Sequence, residues 1–164
     1  MKTYTTVINT PLGEIQTAAC DNGLKGLWFI GQKYFPKDTG AWIKQPDHQV
    51  FASLKIWLEE YFAGKKPELT IPVMPQGSEF RQAVWQLLSS IPYGKTSTYG
   101  AMTAQLISNG RKASAQAVGG AVGHNPISLI IPCHRVMGSD GSLTGYAGGI
   151  DKKRALLELE KEQC

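Results

Sequence analysis

A stretch rich in proline and glycine divides the chain and limits what it can fold into. Residues 65–77 hold Lys65-Lys-Pro67, Pro72, Pro75 and Gly77. Proline lacks a backbone N–H and resists both helix interiors and central strands, so this stretch reads as a linker. Before it the apolar pattern is that of strands and one helix. After it the pattern is mainly helical. The expectation is a mixed α/β chain of two domains, residues 1–75 and 76–164.

In the first half, Thr-Tyr-Thr-Thr-Val-Ile over 3–8 leads to Pro11-Leu-Gly13, then to Glu-Ile-Gln-Thr-Ala over 14–18. Asp21-Asn-Gly23 marks the next turn, before the apolar stretch 24–30. Asn-Gly and Pro-x-Gly between apolar stretches are hairpin punctuation. Residues 31–47 read as a loop. Over 49–63 the period turns helical, with Phe51, Leu54, Leu58, Tyr61 and Phe62 on one face and Gly64 as the stop.

Past the linker, Phe80, Val84, Leu87, Leu88 and Ile91 make a helical stripe that begins after Ser78 and ends at Pro92-Tyr-Gly94. Two short helices follow, over 99–107 with Thr98 as N-cap and over 114–123, joined through Ser108-Asn-Gly110. This pairing resembles a helix-turn-helix. The second helix is unusual, because Gly119 and Gly120 at its centre cost about 1 kcal/mol each relative to alanine. Either it packs tightly on a neighbour, or its backbone must come close to a large ligand. Residues 127–131 read as a short buried strand running into Pro132-Cys-His-Arg-Val136. The polar turn Gly138-Ser-Asp-Gly141 and the glycine-rich Thr144-Gly-Tyr-Ala-Gly-Gly149 lead to a helix over 152–162, with Ala155, Leu156 and Leu159 for burial.

Composition narrows the function classes. Apolar residues make up 42% and charged residues 18%, which suits a globular chain rather than a long disordered one. The longest aliphatic run is Leu129-Ile-Ile131, far short of a membrane span, and residues 1–10 lack the apolar stretch of a secretory leader. A cytoplasmic protein is expected. The net charge is +4, but residues 80–139 carry Arg81, Lys95, Arg111, Lys112 and Arg135 with no acid, as a surface that meets an anion would. Cys20, Cys133 and Cys164 are an odd count without a Cys-x-x-Cys pair, which argues against a disulfide framework. Cys20 is expected in a core and Cys164 in a tail. The adjacency of Cys133 and His134 is poor spacing for a metal site, and none is expected.

Cys133 is the candidate nucleophile. A free thiol, with a pKa of about 8.5, is only a few per cent thiolate at neutral pH, so a base and good positioning must supply most of the rate. His134 can take the proton, and a carboxylate can orient the histidine.

Pro132-Cys-His-Arg-Val136, preceded by Asn125-Pro126 and followed by Gly145-Tyr-Ala-Gly-Gly149, closely resembles the O6-alkylguanine-DNA alkyltransferase family. The likeness extends through Ile91-Pro-Tyr-Gly94, Thr98-Tyr-Gly100, Ala117-Val-Gly-Gly-Ala121 and Leu156-Leu-x-x-Glu160. Thr10-Pro-Leu-Gly13 and Glu60-Tyr-Phe-Ala-Gly64 are weaker echoes in the first half. The resemblance implies a small ribonuclease-H-like α/β domain followed by a winged-helix-like helix-turn-helix domain. It implies a single-turnover transferase that flips O6-alkylguanine out of duplex DNA, with O4-alkylthymine as a second lesion. The alkyl group passes irreversibly to Cys133 without metal or organic cofactor. Through it, His134 is the base acting across a water, Glu160 orients His134, Tyr99 binds guanine N3, and Asn125 braces the adjoining turn. Backbone groups at Cys133, Val136 and Ala147 line the pocket, and Tyr146 walls it. Ala115, Gln116 and Gly119 meet the minor groove, while Arg111 and Ser139 touch the DNA backbone. The free protein is expected to be a monomer.

Two departures from the family pattern stand out. Gln116 occupies the place of the arginine that relatives insert where the base was, so the plug here carries no charge. Leu159 and Lys161 flank Glu160 in place of the usual histidine and glycine. A non-enzymatic lesion binder would replace Cys133 with a bulky residue. A methylation-sensing regulator would need a further cysteine-rich domain. A cysteine hydrolase would leave the glycine-rich helix unexplained.

Overall fold

A computed structural model of the chain describes residues 2–143 and 145–162. Thr144 of the glycine-rich loop and Cys164, expected in a tail, lie outside the described residues. The chain divides into two compact units. One comprises the chain as far as Gln76 together with Pro126–Ser128, and the other comprises Gly77–Asn125 and the chain from Leu129 onward.

The first unit is built on a four-stranded sheet in which the strands lie in the order third, second, first and fourth along the chain. Strands β1 (Tyr4–Thr10), β2 (Gly13–Cys20) and β3 (Gly23–Phe29) form the antiparallel meander that the turn signals predict. A two-residue strand, β4 (Ile43–Lys44), pairs parallel with β1 inside the stretch expected to be loop. It is too short to carry a period of its own. Helix α1 (Gln49–Phe62) buries Phe51, Leu54, Leu58 and Tyr61, and His48 caps it by accepting from the Val50 N–H. Burying each large apolar side chain contributes about 1.5–3 kcal/mol, so this one face outweighs any propensity along the helix. Cys20 is fully buried, its sulfur 3.6 Å from that of Met74.

Residues 127–131 are not a strand. Ile127 makes a single bridge to Leu27 in the first unit, and a turn follows. Leu129 adopts φ +70°, a left-handed conformation that costs a non-glycine residue about 1–3 kcal/mol. A largely apolar run reports burial, not conformation, and these residues, Ser128 included, are buried without alternating.

The second unit packs α2 (Glu79–Ser89), α3 (Tyr99–Ser108), α4 (Ala115–Gly123) and α5 (Ile150–Glu162) around short irregular segments. Helix α2 buries Ala83, Val84, Trp85 and Leu88, and the Trp85 indole N–H donates to the Ala121 carbonyl at 2.9 Å, tying α2 to α4. Ser78, Thr98 and Ser114 cap α2, α3 and α4 by accepting from the third following N–H, at Arg81, Ala101 and Ala117. Strands β5 (Ser97–Thr98) and β6 (Val136–Met137) pair in parallel, Ser97 opposite Val136. Among the described residues, no helix is long and apolar enough to cross a membrane.

Candidate active site

Cys133, His134 and Arg135 form one turn of 3-10 helix directly before β6. The β5–β6 pairing aligns this turn with the start of α3, whose first residue is Tyr99. Upstream, the Asn125 side-chain amide donates to the Ile131 carbonyl at 2.7 Å, and Ile131 O accepts from the Cys133 N–H at 2.8 Å. A single carbonyl thus fixes both Asn125 and the nucleophile's backbone.

Behind the turn lies a sealed charge cluster. His134 is completely buried, and its Nε2 lies 2.6 Å from Glu160 Oε2. Glu160, near the end of α5 and also buried, accepts from Arg135 Nε at 2.7 Å and Nη2 at 3.1 Å. Arg135 Nη1 donates to the Ile91 carbonyl at 2.7 Å, and its guanidinium lies over the Tyr93 ring. Arg135 is therefore spent inside the protein and does not join the anion-meeting surface expected of residues 80–139. A carboxylate facing Nε2 assigns the ring proton to that nitrogen. The lone pair then sits on Nδ1, which is buried without a protein hydrogen-bond partner.

The ionisation states follow from the surroundings. Burial pushes the Cys133 thiol above its usual range, while the Asn125 hydrogen bond and the nearby Lys153 charge pull it back. Burial pushes His134 below the usual histidine range, against the upward pull of Glu160. Tyr99 is raised, first by burial and then by the proximity of Cys133, so its hydroxyl stays a donor. The site at rest holds a neutral thiol, a neutral imidazole and a neutral phenol.

The pocket residues fall close by. Val136 is fully buried at the head of β6, Tyr146 is buried, and Ala147 is half-buried after it. Gly145 has φ +72°, and a Cβ there would stand 3.3 Å from the Tyr99 hydroxyl, so the loop needs glycine on both counts. Ser139 is exposed, with its hydroxyl 3.2 Å from where a Cβ on Gly100 would stand.

The other residues assigned to DNA lie on α4 or just before it. Ala115 and Gln116 are exposed and Gly119 half-exposed on α4, whose inward face is Val118, Ala121 and Val122. A Cβ on Gly119 or Gly120 would meet nothing within 4 Å. Tight packing on a neighbour is therefore not the reason for these glycines. Arg111 is exposed, 3.5 Å from Glu79. The sequence reading missed Lys153, whose fully buried side chain donates to the Val136 carbonyl. Its spacing gave a signal, since Lys153, Leu156 and Glu160 share one helical stripe.

Comparison with known proteins agrees in both halves. Residues 3–75 match the 6-O-methylguanine DNA methyltransferase ribonuclease-like domain, and residues 79–162 match the DNA binding domain of the same name. The class is thus a ribonuclease-like domain joined to a DNA-binding one. The chain belongs to the 6-O-methylguanine DNA methyltransferase family. A methylated-DNA--protein-cysteine methyltransferase of Mycobacterium bovis is 44% identical over 96% of this chain and 92% of its own length. One from Haemophilus influenzae is 42% identical over 96% and 86%. The crystal structure of Mycobacterium tuberculosis OGT in complex with DNA is 40% identical, with a TM-score of 0.86 over 100% of this chain and 95% of that one.

Proposed function

We propose that this chain is a single-turnover DNA repair transferase that moves the alkyl group of O6-alkylguanine to Cys133. The observation that carries the reading is the buried line from Glu160 through His134, whose free lone pair lies on the nitrogen turned away from the carboxylate. In a family of methyltransferases that line is suited to accept the thiol proton.

In the step we propose, the Cys133 proton passes to His134 Nδ1 through a bridging water, and Glu160 stabilises the imidazolium. The sulfur attacks the alkyl carbon in line. The C–S bond forms, the C–O6 bond breaks, and its electron pair leaves on guanine. Tyr99 donates toward guanine N3 and neutralises the leaving base. The thioether has no route back, so each chain reacts once. The base must leave the stack first, at a cost of a few kcal/mol. Val136, Tyr146 and Ala147 would receive it, with Asn125 holding the floor of the turn.

We read α3, its connecting turn and α4 as a helix-turn-helix that presents α4 to the minor groove. Ala115 and Gly119 would allow close approach, Gln116 would fill the gap in the stack, and Arg111 and Ser139 would hold phosphates. The domain boundary near residue 76, a monomeric free protein, a cytoplasmic location and O4-alkylthymine as a second lesion belong to the same reading.

The test is the intact mass of the protein after mixing with a duplex carrying one O6-methylguanine. The expected result is a gain of one methylene, mapped to Cys133 and saturating at one per chain. Tight binding without any gain would overturn the assignment.

A further inference from the structure

We propose that Lys153 is a positioning residue for the transfer, its buried ammonium fixing the Val136 carbonyl and furnishing the positive charge beside which the Cys133 thiolate forms. This rests on the reading of Cys133 as the nucleophile. Lysine is almost never fully buried without a compensating role. Here its side chain is completely buried one stripe position from Leu156, and Nζ donates to the carbonyl of Val136, three residues past the nucleophile.

The charge acts on Cys133 and His134, and further titratable groups of the site stand on the same elements. Cys133, His134 and Arg135 come from the 3-10 turn, Glu160 stands two turns further along α5, and Tyr99 of α3 feels the charge of Cys133. Glu160 already serves Arg135 and His134. Lys153 interacts electrostatically with both members of the reacting pair. It favours the thiolate of Cys133 and disfavours the imidazolium of His134. Burial holds Lys153 itself below the usual lysine range, and the charge of Cys133 pulls it back up. Lys153 thus adds to the burial that keeps the base neutral at rest, while easing loss of the thiol proton.

This gives a signature that loss of packing does not. Removing the charge should raise the ionisation midpoints of Cys133 and His134 together. The experiment measures iodoacetamide labelling of Cys133 against pH in the DNA-free protein, for the parent, Lys153→Gln and Lys153→Met. Lys153→Gln keeps an N–H for the Val136 carbonyl, so it separates charge from hydrogen bond. We expect the Cys133 midpoint to rise by about one pH unit, tenfold in ionisation constant, in both variants. An unchanged midpoint in a folded Lys153→Gln protein overturns the proposal.

Should neither variant fold, the reciprocal effect is read by NMR titration of the Lys153 ε-carbon. Linked sites shift each other equally, so Lys153 should lose its proton about one pH unit earlier in Cys133→Ala than in the parent. Identical Lys153 titrations would overturn the idea. Labelling needs no DNA, so failure of alkyl transfer and failure of this proposal are separate results.

Discussion

The outer face of α4 and the 3-10 turn at Cys133 are both short, both belong to the second unit, and are built in opposite ways. The α4 face is exposed, uncharged and nearly devoid of side chains, with open space above Gly119 and Gly120. The turn is buried and crowded with charge, held by Glu160, Arg135 and Lys153. The first has surrendered helix propensity to keep its surface bare. The second carries desolvated charge to hold one imidazole in place. On the proposed function, recognition of a large ligand and chemistry on a small group make opposite demands on two parts of one domain.

The largest expected effect breaks the buried side. Glu160→Gln leaves the Arg135 charge without its carboxylate, and removing one partner of a buried pair costs about 3–5 kcal/mol. Thermal unfolding should show that loss, and single-turnover transfer should fall by at least about 100-fold. A protein as stable as the parent would mean the cluster is not sealed.

Next in size is His134→Gln, which should slow transfer by about 10²–10⁴-fold with little change in affinity for unmodified duplex. Equal losses in rate and affinity would contradict the base assignment. The same residue gives a pH prediction. Its folded-state pKa is depressed, so neutral His134 persists below the ordinary histidine midpoint of about 6.5. Parent transfer should stay level from pH 8 down through that value and decline only in stronger acid. A tenfold rise per pH unit across neutrality would instead point to a requirement for pre-ionised Cys133. The sign for stability is the same. The contribution of neutral His134 is fully present above about pH 6.5 and is lost as the pH falls toward the folded value.

The α4 face answers to smaller changes. Gln116→Arg adds a cation at the proposed DNA face, and should tighten duplex binding while steepening its salt dependence by about one counterion. Unchanged affinity and rate would remove Gln116 from the interface. Gly119→Ala should stabilise the free protein by about 0.5–1 kcal/mol, because the new methyl meets nothing and alanine favours helix. The same substitution should weaken DNA binding. Tighter folding with undiminished affinity would break the contrast between the two regions.

Much of this architecture was legible because it is local. Hairpin turns at Pro11–Gly13 and Asp21–Gly23, and the cap at Thr98, depend on residues within four positions of one another. Strand β4 was not legible, since its two residues are strand only through pairing with β1 far back in the chain. The run 127–131 misled because burial on all sides erases the alternation that marks a strand. Arg135 and Lys153 misled for a related reason. A charged residue reads as surface until the partner that permits its burial is known, and Glu160 lies 25 residues from Arg135. Family resemblance placed His134 and Glu160 in roles, while Lys153 left only its place on the stripe of Leu156 and Glu160, a signal too weak to read without coordinates.

The dependence of His134 on Glu160 also bears on how the protein is made. Ribosomes deliver the nucleophile first and its orienting carboxylate later, from α5. A nascent chain that has emerged only as far as Gly149 carries Cys133 and His134 but lacks Glu160 and Lys153. Its thiol has neither the imidazole held by Glu160 nor the charge of Lys153. Docking of α5 therefore acts as an arming step. It keeps a side chain that can be used only once from becoming competent before the domain around it is complete.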